Sequence, residues 1–193
     1  MLMRSRTLLA ALAASVALAV PAAASAQAGL PAGTPEQREA MQALSWMDGE
    51  WVGETTVLMG PGAGTHPHSE RIGPMLGGSI KVIEGRSASG PDGVPGFNAF
   101  AVVSWDDASD RYMMRSYANG HAGDFPLEAS ADGFSWTAPA PGGDIRYVTT
   151  FRDGEWVETG HFVMPGRDPM KVVELRLRRR GDTTWPAGDP VLP

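Results

Sequence analysis

The chain contains no cysteine among its 193 residues. Disulfide bonds, thiolate metal sites, iron–sulfur clusters and cysteine nucleophiles are therefore excluded. A chain without disulfides must be stabilised by its hydrophobic core, and this length is sufficient for one domain with such a core.

The chain also lacks an excess of positive charge, with 16 Lys and Arg against 22 Asp and Glu. An acidic protein without a basic stretch is a poor partner for nucleic acid or for an anionic membrane surface. The one basic cluster, Arg178-Arg179-Arg180, ends a predicted strand, where a solvated rim is the simplest interpretation. We therefore expect no nucleic-acid partner.

Familiar catalytic motifs are absent as well. The sequence has no Gly-x-Ser-x-Gly elbow, no His-Glu-x-x-His and no phosphate-binding glycine loop. Its 24 glycines punctuate turns. No catalytic residue is assigned on this basis, no metal site is predicted, and a binding protein is favoured over an enzyme.

The N-terminus has the pattern of an export signal. Arg4 and Arg6 precede a 13-residue stretch, Leu8 to Val20, that is apolar apart from Ser15. This stretch is too short to span a bilayer core of about 30 Å. We therefore expect a cleaved signal peptide, no integral membrane segment after cleavage, and a periplasmic or secreted protein.

Small residues mark the cleavage point, either after Ala26 or after Ala28. Cleavage after Ala26 removes two arginines and no acid, leaving 167 residues with a formal net charge of −8. The sequence therefore predicts a signal peptide at 1–26, a flexible leader at 27–33, a barrel domain at 34–180 and a loose C-terminal tail at 181–193.

One amphipathic helix is expected before the strands begin. Thr34-Pro35-Glu36-Gln37 combines an N-cap threonine, a proline at the first helical position and a capping-box glutamine. One apolar stripe follows, formed by Ala40, Met41, Leu44 and Met47. Such a stripe needs an apolar surface to cover, and the end of a barrel would provide one.

After this helix the hydrophobic period changes to two. Ten short strands are predicted, at 50–59, 66–73, 78–87, 97–105, 111–118, 124–129, 133–138, 144–152, 155–164 and 169–180. Turn residues separate most of them, including Asn119-Gly120, Asp132-Gly133 and Asp153-Gly154. Consecutive tight hairpins favour an all-β, antiparallel up-and-down barrel of about ten strands with one short N-terminal helix.

The start of the first strand carries a family resemblance. Leu44 precedes Gly49-Glu50-Trp51-Val52-Gly53, Glu70 is followed by Leu76-Gly77-Gly78, and a late strand ends at Arg179. This arrangement resembles the bacterial domain-of-unknown-function 1579 family over residues 36 to 180. The Gly-x-Trp-x-Gly motif is also similar to that of lipocalins, fatty-acid-binding proteins and the haem-binding nitrobindins.

The resemblance implies a calycin-like barrel that holds a small molecule. For the 1579 family it implies no established activity, and therefore no catalytic residues. Nitrobindins bind haem through a histidine on a late strand, and His161 is the residue in the corresponding region here. No cofactor is predicted, with haem binding through His161 kept as an alternative.

The expected partner is a small, largely apolar molecule inside the barrel. Arg115 is a candidate polar contact because Met113 and Tyr117, which share its face, make a solvated position unusual. The complete set of predicted ligand-binding residues is Trp51, Glu70, Met113, Arg115, Tyr117, Tyr147 and His161.

Three further functions remain open at this stage, and one of them is a structural or envelope-associated role for a filled barrel without a ligand. An enzyme would use His161 with Glu158 or Glu70 for acid–base catalysis. Metal binding would use His161 or the pair His66 and His68, which share one face with Glu70 in an extended chain. Because a glycine-rich segment precedes this pair, we expect it on a solvated loop.

Overall fold

The computed structural model describes residues 33–60, 62–88 and 96–186. They form a closed antiparallel barrel of ten strands with one helix near its start, which confirms the predicted fold class. The predicted signal peptide and most of the leader, together with 187–193 of the predicted tail, lie outside the described residues. The proposed domain boundaries therefore stay predictions.

Helix α1 spans Pro35–Ala43 and begins with the predicted capping box. The Gln37 backbone N–H donates to Thr34 Oγ1 over 3.1 Å, and the Thr34 N–H donates to Gln37 Oε1 over 3.0 Å. A short 3-10 turn, Ser45–Met47, connects α1 to the first strand. Met41, Leu44 and Met47 are buried, so the predicted apolar stripe faces the barrel core.

All ten predicted strands are present, with ends shifted by at most three residues. Their bounds are β1 Gly49–Val57, β2 Gly64–Met75, β3 Ile80–Ser87, β4 Asn98–Asp106, β5 Arg111–Ala118, β6 His121–Ser130, β7 Gly133–Ala140, β8 Gly143–Arg152, β9 Glu155–Val163 and β10 Met170–Gly181. Each strand pairs with its neighbours in sequence, and β1 pairs with β10 to close the barrel.

Two tight turns fix the register as the sequence predicts. Asn119-Gly120 and Asp153-Gly154 have positive φ at both residues, which is the type I′ geometry of two-residue hairpins. Asp132-Gly133 behaves differently, because Gly133 already pairs with Ser130 and the turn lies one residue earlier. The Asp153-Gly154 turn pairs Arg152 with Glu155 and sets the register of β8 and β9.

The end of the barrel beside α1, called the closed end here, is filled by side chains. Trp51 is fully buried, and its indole N–H donates to the Met47 carbonyl over 2.8 Å. Its ring meets Phe151 and Trp156 edge-on, with centroids 5.4 and 5.5 Å apart. These contacts join β1, β8, β9 and the 3-10 turn into one core.

A buried ion pair also lies at the closed end. The Lys81 ammonium group donates to both carboxylate oxygens of Asp48, over 2.7 and 2.8 Å. The Lys81 side chain is 2% exposed, whereas Asp48 retains some solvent contact. Because Asp48 links the 3-10 turn to β1 and Lys81 lies on β3, the pair ties the helical segment to the barrel wall.

The outer wall is partly covered by the residues after β10. The Trp185 carbonyl oxygen occupies the space where a side chain at Gly73 would begin, and Val82, opposite Gly73 in register, is buried. Within the described part of the chain, no helix is long and apolar enough to cross a membrane.

Candidate functional site in the barrel interior

The inward-facing side chains of the barrel are more exposed to solvent away from the closed end. Most inward-facing side chains there are partly exposed, whereas most of those beside α1 are buried. We call this accessible inner wall the cup; its members are Ser87, Ala99, Ser116, Gly123, Trp136, Tyr147 and Val173. Small residues are frequent among them, which leaves space within the wall.

A group of polar side chains lies between the cup and the closed-end core. We call this group the floor; it comprises His68, Glu70, Thr149 and Glu158. His68 and Glu70 come from β2, Thr149 from β8 and Glu158 from β9. Buried polar groups are costly unless they are hydrogen-bonded, so the partners of each group are informative.

His68 connects Ser87 to Glu70 across two strands. Its Nδ1 lies 2.8 Å from Ser87 Oγ, and its Nε2 lies 2.9 Å from Glu70 Oε1. An ionised carboxylate only accepts hydrogen bonds, so Nε2 carries a proton and donates to Glu70. In the neutral imidazole, Nδ1 then accepts the hydrogen bond of the Ser87 hydroxyl. These two hydrogen bonds hold the imidazole ring in one orientation, and the side chain is buried, with 5% of its surface exposed.

Only one of the two carboxylate oxygens of Glu70 has a hydrogen-bond partner. Its Oε1 bonds to His68, but its Oε2 is buried and has no hydrogen-bond partner. The carboxylate lies against Gly85, where an added Cβ would come within 2.6 Å of Oε1. Glycine at position 85 therefore makes the room that this carboxylate occupies.

Glu158 has an unusual protonation equilibrium. The Thr149 hydroxyl donates to its Oε2 over 2.5 Å. Burial raises the pKa of Glu158 from 4.5 to about 7; the Thr149 hydrogen bond opposes this rise, the charge of Glu70 adds to it and His68 opposes it. Near neutral pH the floor therefore combines a partly protonated carboxyl with a neighbouring carboxylate.

Tyr147 stands above Glu158 on the cup wall. Its ring stacks on Trp136, with centroids 4.2 Å apart and an interplanar angle of 10°. Burial, together with the charge of Glu158, raises the pKa of the Tyr147 hydroxyl to about 12. An added Cβ at Gly160 would come within 3.0 Å of this ring, so glycine allows the ring to lie flat against the wall.

A cleft of about 570 Å³ lies along β1, β2 and β3 near the start of β4. Gly53, His68 and Ser87 line its inner side, and Val52 and Arg86 line its outer side. A second cleft of about 590 Å³ lies outside the barrel, between α1 and β4–β5. Of these two clefts, the first includes His68 of the floor and Ser87 of the cup among its lining residues.

Three of the predicted ligand-binding residues face the interior. Trp51 belongs to the closed-end core and is paired in register with Glu70 of the floor. Tyr147 lies on the cup wall. The structure thus brings Glu70 and Tyr147 to one region, with Trp51 beneath it, and their contact with a ligand stays a prediction.

The predicted direction of Met113, Arg115 and Tyr117 requires correction. Met114 is the buried residue of β5, so these three lie on the opposite, outer face. Arg115 is half-exposed, donates to Asp124 over 2.5 Å and lies beside the Tyr117 ring. The apolar residues on its face therefore belong to the outer surface, where Arg115 keeps its hydration.

His161 also faces outward. It alternates along β9 with the inward Gly160 and Phe162, and it pairs in register with the exposed Arg146 and with Lys171. Glu158 and His161 consequently lie on opposite faces of one strand. This separates the predicted acid–base pair, and it leaves His161 outside the interior where a haem ligand was expected.

The expected loop around His66 and His68 is instead part of strand β2. Both histidines share a face with Glu70, as their spacing predicts, but only His68 is buried. His66 lies nearer the rim and bonds to the Gly62 carbonyl over 2.9 Å. Among the residues that the structure describes, no three His, Asp or Glu side chains are grouped to hold a metal ion.

Sequence reasoning missed Ser87, Thr149 and the role of His68. The sequence did contain a signal that places Thr149 beside Glu158. A two-residue turn at Asp153-Gly154 pairs positions 152 and 155, and counting outward places Thr149 opposite Glu158. Ser87 had no comparable signal, because its contact with His68 depends on the register between β2 and β3.

The protonation of Glu158 predicts a pH-dependent stability. Because its folded-state pKa is raised, the group stabilises the fold below about pH 4.5, and this contribution is lost as pH rises through 7. Glutamine does not titrate, so Glu158→Gln should gain stability relative to wild type as the pH rises. The difference in unfolding free energy between the variant and wild type should shift in favour of the variant by up to about 3 kcal/mol between pH 5 and pH 8. Urea denaturation across this range measures the change, with Glu128→Gln on the outer face as the control. Equal pH slopes for wild type and Glu158→Gln would contradict the assignment.

Comparisons with known proteins show a likeness in structure and none in sequence. No protein-family model matches the chain, and no curated protein matches it in sequence. Its structure is similar to the crystal structure of Rv2717c from M. tuberculosis, with 13% sequence identity, a TM-score of 0.49, and coverage of 73% of this chain and 97% of that chain. The fold assignment accordingly rests on the strand pairing described above, and membership of the 1579 family stays a prediction.

Proposed function

We propose that this protein is exported and binds a small, largely apolar molecule in the cup, with a polar group of that molecule directed at the floor. The observation that carries the proposal is the buried Glu70 Oε2, which has no partner and lies beneath a partly exposed inner wall. A buried carboxylate oxygen without a donor costs free energy. A ligand that donates to it removes this cost.

The cup offers complementary surface to the rest of such a molecule. Trp136 and Tyr147 present stacked aromatic rings, and Phe125 lies beside Trp136 with centroids 5.2 Å apart. Ligand sites typically combine apolar and aromatic walls with a few oriented polar groups, and this arrangement has both. The export signal at residues 4–26 supports a periplasmic or secreted location.

The enzyme and haem alternatives built on His161 are not proposed, because that side chain lies on the outer face. The polar group of the ligand instead meets His68, Glu70, Thr149 and Glu158. Their position below the aromatic wall favours binding of an amphiphilic molecule whose apolar part extends toward the rim.

A variant that fills the cup tests the proposal. Ser116 faces inward from β5 beside Ala101 and Gly123, so Ser116→Phe should occupy the ligand's space. Native mass spectrometry of protein purified from its own host should show a retained small molecule with wild type and about tenfold less with Ser116→Phe.

The matched control is Thr137→Phe, which adds the same ring to the exposed outer face of β7. This variant should retain the molecule as wild type does. Equal retention by wild type and Ser116→Phe would place the molecule elsewhere, and the absence of any retained or added ligand would reject the function.

A further inference from the structure

We propose that the polar group of the ligand is a protonated amine, held at the floor between the carboxyl groups of Glu70 and Glu158. This inference rests on the proposed function and specifies the chemistry of its ligand. An ammonium group carries three donors and a positive charge, and the floor offers acceptors and negative charge.

The charge of the interior favours a cation. Among the described residues, the inward-facing strand positions between the Lys81 level and the rim include Glu70 and Glu158 but no Lys or Arg. Lys81 itself forms an ion pair with Asp48 at the closed end. A carboxylate ligand would therefore meet like charge that no lysine or arginine offsets, and the imidazole of His68 already contacts Glu70 Oε1 over 2.9 Å. An ammonium group would instead add positive charge beside both carboxyl groups.

The hydrogen bonds of the floor leave suitable acceptors. Glu70 Oε2 is buried and unpartnered, and Thr149 engages only one oxygen of Glu158. The Tyr147 hydroxyl has no hydrogen-bond partner among the described residues and supplies a third oxygen beside Glu158. The acceptors are therefore available without breaking the links between Ser87, His68 and Glu70.

The wall above the floor suits the same ligand. The stacked rings of Trp136 and Tyr147 present aromatic surface to an apolar body attached to the amine. Aromatic faces also attract cations through their quadrupole, so the wall does not oppose the approach of an ammonium group. An amine with a compact apolar body fits both parts of the site.

Binding of such a cation should release a proton. The ionisable groups that act on Glu158 are Glu70 and His68 from β2 and Tyr147 from β8. An ammonium group placed beside Glu158 favours its ionised form, because opposite charges stabilise one another. At pH 6 the carboxyl proton passes to buffer as the amine binds, and at pH 8 the carboxyl is already ionised.

The test compares amines with neutral molecules of the same shape. Calorimetric titration of the wild-type protein should use butylamine, hexylamine, octylamine and 2-phenylethylamine, each beside the corresponding alcohol. At least one amine should bind about tenfold or more tightly than its alcohol, and its affinity should rise between pH 5 and pH 8. Titrations at pH 6 in buffers of different ionisation enthalpy should show release of up to about one proton.

Glutamine variants locate the effect. Glu70→Gln and Glu158→Gln should each weaken amine binding by about tenfold or more and leave alcohol binding within about threefold. Glu128→Gln on the outer face is the matched control and should leave both unchanged. If a glutamine variant does not fold, proton release by the wild-type protein still decides the question.

The possible failures are distinguishable. If no amine binds more tightly than its alcohol, or if amine binding releases no proton at pH 6, the amine inference is overturned. Binding of alcohols, or a molecule retained by wild type but lost in Ser116→Phe, would then leave the proposed function standing. If no alcohol binds and no molecule is retained, the amine inference and the proposed function are both rejected.

Discussion

Replacing Trp51 with alanine is expected to lower the free energy of unfolding by about 3–5 kcal/mol, among the largest effects of any single substitution in this chain. The indole is fully buried, contacts Phe151 and Trp156, and donates its only hydrogen bond to the Met47 carbonyl. Alanine would leave a cavity where β1, the 3-10 turn and the aromatic rings meet. Urea denaturation followed by circular dichroism measures the loss.

Two variants separate the contributions of this side chain. Trp51→Phe keeps an aromatic ring but leaves the buried Met47 carbonyl without its donor, so a loss of about 1–3 kcal/mol is expected. Trp136→Ala removes a partly exposed indole from the cup and should cost less than Trp51→Ala. An equal loss for Trp51→Ala and Trp136→Ala would contradict the distinction between the closed end and the cup.

Removing the carboxylate of Asp48 is expected to destabilise the protein by about 3–5 kcal/mol. Asp48→Ala leaves the Lys81 ammonium group buried without the two oxygens that it now contacts. A buried charge without a partner is far more costly than a missing pair. The free energy of unfolding at pH 7 measures this loss.

The double variant Asp48→Ala with Lys81→Met should recover most of the stability, since it removes both charges and keeps an apolar side chain at position 81. Arg152→Ala provides the opposite control, because the Arg152–Asp132 pair is exposed and its atoms lie 3.6 Å apart. Its loss should be about 1 kcal/mol or less. A double variant no more stable than Asp48→Ala would show that the ion pair does not explain the loss.

Local patterns in the sequence were sufficient to predict the helix and the ten strands. The capping box of Thr34 and Gln37 and the turns at Asn119-Gly120 and Asp153-Gly154 are determined by neighbouring residues, and each is present in the structure. Closure was predicted from the hairpins, and the β1–β10 pairing confirms it.

The direction of each strand face was harder to predict. In β5, the adjacent Met113 and Met114 offer an apolar residue to both faces, and only pairing with β4 and β6 decides which one is buried. In β9, His161 and Glu158 stand on opposite faces that both mix polar and apolar residues. A period of two predicts that such residues alternate, but it does not say which set points inward.

The pairing of β1 with β10 has a consequence for how the chain reaches its folded state. Trp51 pairs with Arg179, so the last seam of the barrel joins segments from opposite ends of the domain, whereas the nine other pairings join consecutive strands. Contacts between distant segments form slowly, because the intervening chain must be ordered first. Until β10 is added, β1 and β9 each carry an unpaired edge that invites association with another chain. A chain that ends before residue 170 would keep both edges open and should aggregate.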